Sequence, residues 1–115
     1  MSEVWIVDDD PAVLALVTTA LERLGAAVRP FSMVSAVVEA LASSPPPDVC
    51  LADWSIADGP ILRALPLMPR TRIVVMSGNP AAEVGLPENV EWLPKPFRLA
   101  NLSRLVETVE SELRP

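Results

Sequence analysis

The sequence predicts one α/β domain: a doubly wound sheet of five parallel strands with helices on both faces and strand order 2-1-3-4-5. Three observations carry the prediction. Five short runs have the composition of strands: Val4-Trp5-Ile6-Val7, Ala27-Val28-Arg29-Pro30-Phe31, Asp48-Val49-Cys50-Leu51-Ala52-Asp53, Arg72-Ile73-Val74-Val75-Met76 and Val90-Glu91-Trp92-Leu93. Most are continuously apolar, as strands buried on both faces must be. Helical periodicity separates them, and such alternation gives a parallel sheet joined by right-handed crossovers in which this order is common. With 115 residues the chain is long enough for one core and too short for two, so a single domain over 1–115 is expected.

The elements follow in order. After the first strand, Leu14, Val17, Leu21 and Leu24 recur at three- and four-residue spacing, which predicts an amphipathic helix starting near Pro11 and ended by Gly25. The second run is an edge strand, because Pro30 cannot donate to a ladder. Ser32 or Ser35 is expected to cap a second helix bearing Val37, Val38 and Leu41. Ser43-Ser44-Pro45-Pro46-Pro47 then makes a stiff turn into the third strand. A short helix is predicted from Pro60 through Ile61, Leu62 and Leu65, closed by Pro66 and Pro69. Between Pro80 and Pro87 only Ala81 to Val84 suit a helix, barely one turn. A last helix over 98–113 carries Leu99, Leu102, Val106, Val109 and Leu113 on one face.

Composition removes several function classes. There is no histidine, which excludes His-ligated zinc and Ser-His or Cys-His nucleophiles. Cys50 is the only cysteine and lies within an apolar strand, so it reads as a small buried hydrophobe. A net charge of −6 argues against non-specific nucleic-acid binding and favours partners with basic surfaces. No run has the length of a membrane span, and Met1-Ser2-Glu3 leads straight into the first strand without a signal-peptide pattern, so a cytoplasmic protein is expected.

The informative residues stand at strand ends. Asp8, Asp9 and Asp10 follow the first strand, Asp53 ends the third, Ser77 ends the fourth and Lys95 follows the fifth. In a parallel sheet these positions share one rim, the one where ligands bind. Adjacent carboxylates repel by roughly 1 kcal/mol per pair at 4 Å in water and roughly 4 at an effective dielectric of 20, which calls for a hard divalent cation. Asp10 followed by Pro11 also suits a helix N-cap and N1 pair, so the acids have a second use. Lys95 is the only lysine in a chain that otherwise uses arginine, and it supplies a compact point charge.

These residues resemble a known family, the receiver domain of bacterial two-component response regulators. The resemblance covers the whole chain and rests on Val7-Asp8-Asp9-Asp10-Pro11, on Pro47-Asp48-Val49 leading to Asp53, on Ser77-Gly78 and on Lys95-Pro96-Phe97. It implies the flavodoxin-like receiver fold and a phosphoacceptor role for Asp53, which would take a phosphoryl group from a histidine kinase or a histidine phosphotransfer protein. It implies Mg²⁺ as cofactor, with Asp9 a direct ligand, Asp8 acting through water, the Ser55 carbonyl and Asp53 as further ligands and Asp10 as an additional candidate. Lys95 would pair with the phosphoryl oxygens, and Ser77 would hydrogen-bond them. Ser77 and Trp92 take the switch positions, while Ser55 and Asn79 flank the site where hydrolysis is tuned. The resemblance further implies an output partner, met by the Trp92 surface and the last helix, and a homodimer. It implies neither direct nucleic-acid binding nor membrane insertion. The protein would not be an enzyme, its chemistry being its own phosphorylation and dephosphorylation.

The sequence departs from the family's pattern in the loop from Asp53 to Asp58-Gly59, which is shorter than usual and has Ala57 in place of proline. Ser77 and Lys95 stand 18 positions apart, about one helical turn short, so the fourth helix is expected to be short or missing and the usual dimer through it is less expected. Two alternatives bear on function. A pseudo-receiver would bind partners without phosphorylation, but every acceptor-site residue is present. A haloacid-dehalogenase-type phosphohydrolase would use Asp8-x-Asp10, but Ala12 breaks its motif, no acidic pair follows Lys95, and Asp53 would have no task.

Overall fold

The computed structural model describes residues 3–54, 56, 58–77, 90–94 and 104. Along the chain these form β1 (Glu3–Val7), α1 (Pro11–Arg23), β2 (Ala27–Phe31), α2 (Val34–Leu41), β3 (Val49–Asp53), a 3₁₀ helix (Ile61–Leu67), β4 (Arg72–Ser77) and β5 (Val90–Pro94). All pairings are parallel and the order is β2-β1-β3-β4-β5, as the sequence predicts. The expected fourth helix, and the last helix apart from Arg104, lie outside the described residues.

Both faces of the sheet are covered, which is why β1, β3 and β4 are apolar without alternation. One face carries Trp5, Val7, Cys50, Ala52, Ile73 and Val75 against Val34, Val37 and Ala40 of α2 and Ile61 and Ala64 of the 3₁₀ helix. The other carries Val4, Ile6, Val49, Leu51, Val74 and Met76 against Val17 and Leu21 of α1. At the β2 edge the core is closed by a cation: the Arg29 guanidinium lies 5.5 Å from the Trp5 ring centre and 5.1 Å from that of Phe31, and the two rings are 4.9 Å apart. Pro30 sits on this edge as expected.

Helix α1 has the ends its sequence predicts. Asp10 Oδ1 accepts from the amides of Ala12 at 2.9 Å and Val13 at 3.5 Å, and Pro11 takes the first turn. Beyond the C-cap Leu24, Gly25 adopts φ +93°, a left-handed conformation that glycine enters without a Cβ clash.

Two local expectations are corrected. Neither Ser32 nor Ser35 caps α2. Its N-cap is Met33, which makes no side-chain cap bond, and the first-turn amides of Val34 and Ser35 each donate at 2.8 Å to the Asp58 carboxylate instead. A cap arriving from 24 residues away leaves no local sequence signature. Those two amides, Ser35 foremost, hold the Asp58 carboxyl below its usual range. Because the folded value is depressed, this cap is present above the ordinary carboxylate range and is lost only as pH falls through the depressed value. The short helix expected after Pro60 is present as a 3₁₀ helix, but it runs through Pro66 to Leu67 where Pro66 was expected to close it. Pro66 lacks the N–H that an α-helical turn would use and its ring would crowd the carbonyl four residues back, so a short, tighter helix replaces it.

Two predictions follow from the core. Leu51 is fully buried in β3, so Leu51→Ala should cost about 3 kcal/mol, read as a lower urea midpoint with an unchanged slope. Burial pushes the Cys50 thiol up to about 12, so it stays neutral at pH 8; a disulfide exchange reagent should leave it unmodified in the native protein and titrate it fully in denaturant.

Candidate functional site

A parallel sheet delivers the residue after each strand to the same rim. Strand β1 ends at Val7, opposite Ala52 of β3, so Asp8 leaves the sheet level with Asp53. Asp53 in turn is opposite Met76, and Ser77 ends β4 one residue further on, opposite Pro94. The rim predicted from the sequence therefore exists, and it brings together residues more than 40 positions apart.

The carboxylates of Asp8, Asp9 and Asp53 offer oxygens that all lie within 4.8 Å of one another. Their environments differ: Asp8 is buried, Asp53 half-buried and Asp9 exposed. Asp8 is held by its backbone, whose N–H donates to the Phe31 carbonyl at 3.0 Å, while its Oδ1 accepts the Asp10 N–H at 2.9 Å. Asp10 is not one of the three; its carboxylate is engaged in capping α1. On the other strand the Trp54 N–H donates to the Met76 carbonyl at 2.9 Å, so pairing continues one residue past Asp53 and fixes the backbone that carries its carboxylate.

Ser77 is buried at the end of β4. Trp92 lies opposite Val75, on the sheet face shared with α2, and is half-buried, its buried Nε1 having no hydrogen-bond partner among the described residues. Ser55, Asn79 and Lys95 lie outside the described residues. Two residues with structural roles, one in the loop after Asp53 and one at the opposite rim of the sheet, escaped sequence reasoning. Asp58 was read only as part of the loop after Asp53, although it caps α2. Asp48 was read as the first residue of a strand, although its carboxylate accepts the Glu3 N–H at 2.8 Å and its own N–H donates to the Glu3 carbonyl at 3.0 Å. An Asp-Gly or Pro-Asp pair signals a turn, and nothing local names a distant partner.

The donor set is all oxygen, anionic and partly desolvated. It suits a small hard cation that keeps part of its water and accepts one or two carboxylates, as Mg²⁺ does, and offers nothing to a metal that prefers nitrogen or sulfur. Among the described residues no helix is long and apolar enough to cross a membrane.

No family model matches the chain. Two curated relatives are DNA-binding transcriptional regulators NtrC: that of Proteus hauseri is 28% identical over 96% of this chain and that of Azospirillum brasilense 34% identical over 90%. The matches take up 25% and 23% of those proteins, so the chain spans about a quarter of their length. Among solved structures, one described as a transiently phosphorylated switch in bacterial signal transduction is 30% identical, with a TM-score of 0.80 over 96% of this chain and 95% of that one. A response regulator receiver protein from Sinorhizobium medicae is 26% identical, with a TM-score of 0.80 over 96% and 94%. A receiver domain from Clostridium thermocellum shares the fold with a TM-score of 0.84 over 97% and 96%, at 19% identity. Strand order, near-complete coverage in both directions and sequence identity agree with the acids at the rim, and on these grounds the chain belongs to the response regulator receiver domains of bacterial two-component signalling.

Proposed function

We propose that this receiver domain accepts a phosphoryl group on Asp53, in a Mg²⁺-dependent step, from a histidine kinase or histidine phosphotransfer protein, and passes the signal on by changing conformation. The observation that carries this reading is the meeting of the Asp8, Asp9 and Asp53 carboxylates within 4.8 Å at the end of β1 and β3. Asp9, Asp53 and the Ser55 carbonyl would hold the ion directly, with Asp8 behind them. When bound, Mg²⁺ supplies positive charge shared by the carboxylates and the phosphoryl oxygens.

A carboxylate oxygen of Asp53 forms a bond to phosphorus as the phosphorus–nitrogen bond to the donor imidazole breaks and the imidazole departs. Such a transfer asks the protein for position and charge rather than covalent help. Position comes from β3, whose pairing with β4 continues through Trp54. Lys95 pairs with phosphoryl oxygens and the Ser77 hydroxyl donates to them. Moving Ser77 toward the phosphate changes the packing of Trp92 on the same sheet face, a population shift biased by the new charge. Ser55 and Asn79 set access of water to the phosphoaspartate.

The surface beside the acids supports a protein donor. Ala12 and Ala15 on α1 are exposed next to Asp10, and Leu16 is 71% exposed, an apolar patch where a kinase could seat while presenting its histidine. The output partner would read the opposite, Trp92 side, and the protein would work in the cytoplasm.

Intact mass after incubation with acetyl phosphate tests the reading. One added phosphoryl group is expected with Mg²⁺, none without it and none in Asp53→Asn. Labelling that persists in Asp53→Asn, or no labelling from either acetyl phosphate or a phosphorylated histidine donor, would sink the proposal. In a separate titration, Asp9→Asn should weaken Mg²⁺ binding, followed by tryptophan fluorescence, on the order of tenfold; an unchanged midpoint would remove Asp9 from the ligand set.

A further inference from the structure

Helix α2 is capped by the loop that carries the acceptor aspartate. Asp58 stands five positions after Asp53, and its two oxygens are divided: Oδ1 accepts from the Val34 amide and Oδ2 from the Ser35 amide, both at 2.8 Å. The backbone is braced at the same point. Arg63 Nη1 donates to the Asp58 carbonyl at 3.2 Å, its Nη2 lies 3.8 Å from Asp58 Oδ2, and the Gly59 N–H donates to the Ile56 carbonyl at 3.1 Å. Ile56 itself is buried in the core beneath α2.

The opposite end of this segment is tied too, since the Trp54 N–H donates to Met76 on β4. Trp54 is thus tied to β4 and Asp58 to α2. The anchor on the α2 side is the Asp58 carboxylate, because the side chain of the N-cap Met33 has no oxygen to offer the two amides. A helix capped by its own N-cap residue would be satisfied without touching the acid site. Here satisfying the helix and placing the loop are the same contact.

We infer that Asp58 is a positioning residue for the acid site: by capping α2 from within the loop that follows Asp53, it fixes the loop geometry in which that side of the Mg²⁺ site is assembled. The inference rests on the proposed Mg²⁺-dependent reading. It separates Asp58 from a helix cap of the ordinary kind, whose loss would lower stability and leave the site alone.

Met33 allows the two roles to be told apart. Its backbone, φ −145° and ψ 149°, already has the extended conformation of an N-cap, so Met33→Asp can supply a local cap to α2. Asp58→Ala should lower Tm by roughly 4 °C, weaken Mg²⁺ binding on the order of tenfold and slow labelling by acetyl phosphate. The double variant Asp58→Ala with Met33→Asp should regain the lost Tm while Mg²⁺ affinity and labelling rate stay low, each compared with Met33→Asp alone. Recovery of all three in the double variant, or wild-type Mg²⁺ affinity in Asp58→Ala, would overturn the inference. Wild-type protein that neither binds Mg²⁺ nor takes up phosphate would instead overturn the reading on which it rests.

Discussion

The structure depends on the register between β1 and β3. Val4 pairs with Val49 and Val7 with Ala52, so the acids that follow β1 arrive level with Asp53. At the far end the same register is closed by Glu3 and Asp48, through the Glu3 N–H to the Asp48 carboxylate and the Asp48 N–H to the Glu3 carbonyl. Arg72 joins there, its N–H donating to the Asp48 carbonyl, so β4 is set by the same residue. A slip of one position would turn every side chain of a strand to the opposite face. It would exchange the Trp5, Val7 face for the Val4, Ile6 face and separate Asp8 from Asp53. The core and the site are therefore specified by one alignment.

That arrangement divides labour between the two rims. Among the described residues, the rim at the strand starts holds the clasp of Glu3, Asp48 and Arg72 and the hydrogen bond from Thr71 Oγ1 to the Pro47 carbonyl. These contacts satisfy backbone groups. The rim at the strand ends gathers carboxylates whose oxygens lie within 4.8 Å of one another. The sheet tolerates the concentration of acid because the flanking chain is pinned: Asp8 through the Phe31 carbonyl, Asp10 by α1, Trp54 by β4 and Asp58 by α2.

The three consecutive aspartates illustrate how one residue type takes different work from position alone. Asp8 turns inward and is buried, Asp9 stays exposed beside it, and Asp10 begins α1. A run of carboxylates in sequence thus becomes two members of a cluster and one helix cap. The charge that reaches the site is smaller than a count of acids suggests, and it is better ordered.

The fold was legible because it follows from period and punctuation. Continuous apolar runs such as Val4 to Val7 can be satisfied only between two layers, Pro30 can sit only on an edge, and Asp10, Pro11 and Gly25 mark the ends of α1 by local chemistry. Strand-end positions then sufficed to place Asp8, Asp9, Asp53 and Ser77 on one rim. What sequence could not supply were contacts between residues far apart along the chain. The cap of α2 comes from Asp58, the lock of β1 on β3 comes from Asp48, and the division of labour among Asp8, Asp9 and Asp10 comes from which of them the folded chain buries. The short helix after Pro60 was legible, but not its end, for a related reason: Pro66 rules out a regular α-turn, and whether the chain stops there or tightens depends on Ile61 and Ala64 finding the core beneath α2. Local propensity is written residue by residue, whereas a hydrogen bond between residues more than 20 positions apart exists only once the sheet has set their distance.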